Sequence, residues 1–311
     1  MSLALALLLA ASAPDPEPAC DPFDLTYIPV ENPTRLFGLR PNLLDGLFGD
    51  AWRPVAAALP ELVTSLGGCG EAGRLPDAAD LVQVISEGPS LVIPGVGEKG
   101  AVAFGSDWLV LRTGDPFDWA GLVMAWFPGA VRVERAGHTY LTATVMLDIY
   151  GGEWVGRTAE VYFYPADSRS LLAAVTDGPG PALIDRLKAG GRVTPPALWA
   201  AVERFPVALA ADFADRTWLT LPDGPARPGV EPYAELLRAT GQMAVGAEVS
   251  AGGMRFWAVA AATDVDTLTD RFRAVAARVA GTARVKPAGS RVTTTVTVPL
   301  EALAGLGGSN R

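Results

Sequence analysis

Histidine occurs once, at His138, cysteine only at Cys20 and Cys69, and lysine only at Lys99, Lys188 and Lys286, in a chain of 311 residues. A single histidine removes every zinc pattern built on paired histidines, and the two cysteines form no CxxC. Thioredoxin-like chemistry and cysteine-built metal sites are therefore unsupported, and no cofactor is expected. Basic runs are absent too: the net charge is −9 and the pI about 4.7. Nucleic acid needs a cationic surface to replace the counterions around phosphate, so a nucleic-acid partner is not expected. Attraction to anionic lipid headgroups is disfavoured on the same ground. The longest apolar stretch falls short of the roughly 20 residues that span a bilayer, so no transmembrane segment is expected in the mature chain.

What remains is rich in small and apolar residues. Half the chain is hydrophobic and 19% is charged, a composition that supports a folded core rather than disorder. The length suits one large core or two ordinary domains. Residues 1–13, MSLALALLLAASA, carry an apolar stretch and an Ala11-Ser12-Ala13 pattern of the kind cut by signal peptidase. A periplasmic or secreted protein follows from that reading; a mis-assigned start would leave the chain cytoplasmic. Residues 14–33 form a proline-rich lead-in through which no helix can continue. In an oxidising compartment Cys20 and Cys69 could form a disulfide, closing a loop of about 50 residues and stabilising by roughly 4 kcal/mol. The other reading is two unpaired thiols.

Periodicity predicts an α+β protein of antiparallel sheets with helices packed on one face. A strand at 34–40 leads into helically spaced apolar residues from Leu43 to Leu66, divided by Pro54 and Pro60. Strands are expected at 81–87, as a pair within 101–112, near 131–147, and at 157–164 and 170–176. Helices are expected at 117–127, 181–189 and 197–204. The second half reads as a strand at 206–213, a helix at 231–240, a hairpin over 242–262, a helix at 264–280 and a strand at 291–298. Asp118 or Asp115 would cap the helix at 117–127, and Asp264 or Asp266 the helix at 264–280. In the latter, Val265, Leu268, Phe272, Val275, Ala276 and Val279 make the buried stripe. The order strand, helix, strand, strand, helix, strand thus runs twice. It suggests two related β-α-β-β-α-β modules: 34–190, with an extra hairpin, and 191–311. Hairpins such as 242–262 lack the crossover helix that a parallel Rossmann sheet requires.

Candidate chemistry is sparse. Gly95-Val96-Gly97-Glu98-Lys99-Gly100 matches GxGxxG, but strand-like residues follow where a helix must begin to meet a pyrophosphate. His138 reads as a turn histidine, and Ser106, Ser168 and Ser170 occupy no nucleophile elbow. Asp148, Glu153 and Glu160, or Asp264, Asp266 and Asp270, could supply a carboxylate pair only if the fold held two of them across a cleft. The eight tryptophans are mainly expected in the core or at a domain interface. An exposed subset around Trp154, in the Gly151-Gly152-Glu153-Trp154 loop, gives the candidate binding residues Glu153, Trp154, Tyr162 and Tyr164.

Asp24-Leu25-Thr26-Tyr27-Ile28-Pro29, then Leu36-Phe37-Gly38-Leu39-Arg40-Pro41, and later Tyr162-Phe163-Tyr164-Pro165, together resemble stretches of uncharacterised exported α+β proteins of planctomycete bacteria. The sequence departs from them at Ser168 and Ser170. The resemblance implies an envelope location and two α+β modules, and no activity. The expected function is a non-catalytic envelope protein that binds another protein or a cell-surface component. The alternatives are a carboxylate-based hydrolase and a regulatory or inhibitor domain.

Overall fold

The computed structural model describes residues 20–44, 57, 60–70, 73–87, 91–92, 107–146, 155–175, 179–213, 219–220, 231–250, 253–278 and 281–299. Twelve strands form one antiparallel sheet. In chain order they are β1 (Arg35–Leu39), β2 (Leu81–Ser86), β4 (Trp108–Thr113), β5 (Val131–Arg135), β6 (His138–Met146), β7 (Thr158–Pro165), β8 (Ser170–Val175), β9 (Val207–Asp212), β11 (Gln242–Ser250), β12 (Gly253–Ala261), β13 (Thr282–Ala288) and β14 (Arg291–Val298). The remaining two, β3 (Leu91–Val92) and β10 (Leu219–Thr220), make a separate parallel pair. Across the large sheet the order is β13-β14-β12-β11-β9-β1-β2-β4-β8-β7-β6-β5. Near its centre β1 pairs with β9, where Gly38 lies opposite Ala208.

Strand alternation gives the sheet two faces with different covers. One is helical. The helices α1 (Trp119–Trp126), α3 (Glu231–Ala239) and α4 (Val265–Ala276) pack there, with the helical residues 60–65. Leu268, Phe272 and Val275 of α4 bury against Met243, Phe256, Ala258 and Val296. Trp119, Leu122 and Val123 of α1 bury against Leu141, Phe163 and Leu171. Asp118 caps α1 by accepting from the Gly121 N–H at 2.9 Å, and Asp264 caps α4 by accepting from Thr267 N–H at 2.9 Å. Each satisfies an N–H that the first helical turn leaves without a partner.

The opposite face is covered by coil, by the lead-in and by α2 (Pro179–Lys188), whose Leu183 and Ile184 pack on Tyr162, Tyr164 and Leu172. Small residues make room there. Gly38, Ala208 and Gly246 lie side by side across β1, β9 and β11. The Phe23 ring rests on Gly38, where a Cβ would come within 2.7 Å of it, and the Phe205 ring rests on Gly246, where the distance would be 2.4 Å. Trp199, fully buried, completes this layer.

Two expectations are corrected. The helix expected at 197–204 is only a 3-10 turn at Trp199–Ala201, because Trp199 and Phe205 are held by the sheet rather than by a continuing helix. The edge strand β13 was not foreseen; its residues are almost all exposed, so it lacks the alternation that marks a half-buried strand. Of the strand pair expected in 101–112, residues 108–113 form the single strand β4, and 101–106 lie outside the described residues, as do the signal-like segment, the GxGxxG stretch and the tail after Pro299.

Candidate functional site

A cleft of about 670 Å³ opens at one end of the sheet, between the lead-in and the ends of β1, β2, β4 and β11. Its polar walls are Asp24, Arg40, Gln83, Arg112 and Glu248; Leu43 and Val249 are apolar and lie on its rim. Leu43 is 49% exposed and Val249 42%. Cys20 also lines it.

Each of these five polar residues has a partner within the chain, whereas Asn42, which also lines the cleft, has its Oδ1 buried without one. Arg40 is buried, donates to the carbonyl of Phe205 at 2.6 Å and of Glu203 at 3.2 Å, and also bonds the carbonyl of Asp21. Its guanidinium lies over the Phe23 ring, 3.7 Å from the centroid, a cation–π contact. Burial lowers its pKa, and the charges of Cys20, Asp21 and Glu203 work against that. Gln83 holds Asp24 by both backbone groups: its Oε1 accepts from Asp24 N–H at 3.0 Å and its Nε2 donates to the Asp24 carbonyl at 2.8 Å. The Asp24 carboxylate pairs with Arg112 and accepts from Thr26 N–H at 2.9 Å and Thr26 Oγ1 at 2.5 Å. Burial pushes this carboxyl up, but the Thr26 hydrogen bonds and Arg112 outweigh it and hold it below the usual range. Glu248 takes Arg255 Nε at 2.7 Å. Burial raises the Cys20 thiol, against the pull of Arg40. That keeps it protonated and unreactive.

A second polar cluster lies under the lead-in, around His138. Its Nδ1 is 2.6 Å from Tyr164 Oη. Tyr27 donates to Asp167 at 3.0 Å. Burial, then Asp167, pushes Tyr27 up to about 12 and raises Tyr164 as well. Both phenols therefore stay protonated as hydrogen-bond donors, the opposite of what an activated tyrosine base requires. Burial raises the Asp167 carboxyl, but hydrogen bonds from Arg169 N–H at 2.7 Å and from Tyr27 help to lower it further than burial lifts it.

The candidates from the sequence are placed as follows. Tyr162 and Tyr164 are buried beneath α2, and Tyr162 Oη donates to Glu160 at 3.0 Å. Glu153, Trp154 and Asp148 lie outside the described residues. Asp264 is a cap and Asp270 pairs with Arg273 at 3.0 Å. Cys20 and Cys69 are both free, Cys20 half-buried at the cleft and Cys69 exposed beside the end of α1, where its N–H donates to the Trp126 carbonyl at 2.6 Å. Trp108, Trp119, Trp126 and Trp199 are core residues, and Trp257 is half-buried against Phe205. Among the described residues, no three of His, Cys, Asp and Glu come together as a metal site, and no helix is long and apolar enough to cross a membrane. The cleft is what sequence reading missed. Its walls come from six separated segments, and the Arg40-Pro41 step was its one local mark.

No protein-family model matches the chain, and no curated protein matches it either. Among solved structures, it is similar to TP0453 of the spirochete Treponema. Crystal form III shares 13% identity over 92% of this chain and 97% of that one, with a TM-score of 0.47. Crystal form IV shares 12% over 94% and 98%, also at 0.47. The resemblance to planctomycete proteins is thereby corrected: the solved structures that match come from a spirochete protein.

Proposed function

We propose that this is a non-catalytic envelope protein that binds another protein or a cell-surface component, with the cleft at the sheet end as its contact site. One observation carries the reading. Asp24, Arg40, Arg112 and Glu248 of the cleft, and His138 in the second cluster, are engaged by groups of the chain itself, while Leu43 and Val249 remain exposed at the rim. Groups held in this way fix the walls of the cleft, and an apolar rim beside fixed charges suits association. The apolar N-terminal segment supports export, and Glu153 and Trp154 are retained as further proposed contact residues, whereas Tyr162 and Tyr164 are buried beneath α2.

The two halves are read as related modules. Support comes from the order outward from the β1–β9 seam: β1, β2 and β4 on one side, β9, β11 and β12 on the other. Helical residues fall between the first two strands of each set, and α1 and α4 follow the third.

The test is capture of envelope components on the immobilised full chain, beside a Leu43→Asp/Val249→Asp double variant of unchanged melting temperature. Saturable retention of an unaltered component, lost in the variant, is the expected result. Chemical conversion of the retained component would refute the reading.

A further inference from the structure

We propose that the face of β13 and β14, with the adjoining Arg255 and Glu248 ends of β12 and β11, binds an acidic polysaccharide; this rests on the binding reading above and supplies its partner class. The four strands contain five charged residues, Glu248, Arg255, Arg284, Lys286 and Arg291. Cross-strand register puts all five on one face. Arg255 lies opposite both Glu248 and Thr297, Arg284 opposite Thr295, Lys286 opposite Thr293, and Arg291 opposite Ala261. Residues directly opposite in an antiparallel pair share a face, and the intervening Val292, Val296 and Val298 are buried under α4. A chain with 34 acidic and 25 basic residues thus gathers four cations and a lone carboxylate on one sheet surface, and that carboxylate is already held by Arg255.

The rest of the face says what kind of anion fits. Between the cations lie the half-buried Thr293 and Thr297, whose hydroxyls both donate and accept, with Thr295 buried between them. The half-buried indole of Trp257 lies opposite Thr295. Hydroxyls, a flat apolar ring and spaced cations match a polymer of hydroxylated rings carrying carboxylates. A peptide could reach the sheet by adding to its edge, but Pro287 removes a donor from β13, and Arg284 and Lys286 project from that same exposed strand. The face is also continuous with the cleft, since Glu248 belongs to both.

The experiment uses the full chain with polygalacturonate, polyglutamate and neutral dextran, a Lys286→Glu/Arg291→Glu variant, and Arg132→Glu on the opposite edge strand as control. Polygalacturonate is expected to bind, and dextran is not. Affinity should fall at least about tenfold in the double variant, and by a similar factor when salt rises from about 50 to about 300 mM. The control should bind as the parent does. No binding of polygalacturonate, or equal loss in the control, would overturn the proposal; tighter binding of polyglutamate would transfer the face to an acidic polypeptide and overturn it as well. If the double variant still captures an envelope component while the parent ignores polygalacturonate, this assignment fails and the cleft reading stands. Cleavage of polygalacturonate would instead remove the non-catalytic reading itself.

Discussion

Arg40 and Arg186 are buried cations that bond to backbone carbonyls rather than to carboxylates. Arg40 reaches Phe205, Asp21 and Glu203; Arg186 reaches Thr26 at 2.8 Å, Gly191 at 3.2 Å, and Ile28. Each ties the lead-in to a later segment with the planar fork that only arginine supplies. Removing one leaves several carbonyls buried without donors, which costs more than the net worth of the lost bonds. Arg40→Met should therefore lower unfolding free energy by about 3 kcal/mol in chemical denaturation, and Arg40→Lys should recover only part of it. Gly246 offers a complementary test, because the Phe205 ring occupies the place of its missing Cβ. Gly246→Ala should destabilise by about 1–3 kcal/mol through overpacking. Combining it with Phe205→Leu should cost less than the two changes summed, a coupling measurable in a double-mutant cycle.

The lead-in behaves as an element although it contains no helix or strand. Phe23 and Ile28 are buried, and Asp24, Tyr27 and Glu31 each fasten it, to Arg112, Asp167 and the Thr194 N–H respectively. Because the Asp24 carboxyl is held below its ordinary value, its contribution is fully present above about pH 4. It disappears as pH falls through the lowered folded value. The pair is about a third exposed, so solvent screening limits it to about 1 kcal/mol or less. Asp24→Asn should accordingly destabilise at pH 7, and the gap to the parent should close as thermal melts are taken toward about pH 2; a gap independent of pH would remove Asp24 from this role. Elements such as α4 were legible in the sequence because an Asp cap and a stripe of Leu268, Phe272 and Val275 are local signals. The lead-in was read only as a helix breaker, since its partners lie as many as 160 residues away. The same distance hid the cleft, and exposure on both faces hid β13. The negative balance of the whole chain is locally reversed on β12–β14, where period-two alternation collects the cations; that pattern becomes visible only once register is known.

At the scale of the molecule, the question is whether the two halves unfold together. They meet along β1 and β9, whose pairing runs from Arg35–Ala211 to Leu39–Val207. The buried layer beneath the lead-in draws on both halves, with Leu36, Ile85 and Val110 packed in one cluster with Ala208, Ala244 and Val259. Separating them would expose two strand edges and split that cluster, so a half-unfolded state is disfavoured on both counts. Phe272 provides the handle. It is fully buried under α4, far along the sheet from the tryptophans Trp108, Trp119 and Trp126. Phe272→Ala should cost about 3–5 kcal/mol. If the sheet is one cooperative unit, tryptophan fluorescence, dominated by the first half, and far-UV circular dichroism should shift to the same lower midpoint. A fluorescence midpoint that stays in place while the dichroism splits into two steps would mean that the seam between β1 and β9 yields before either half does, and the modules would then be thermodynamic domains.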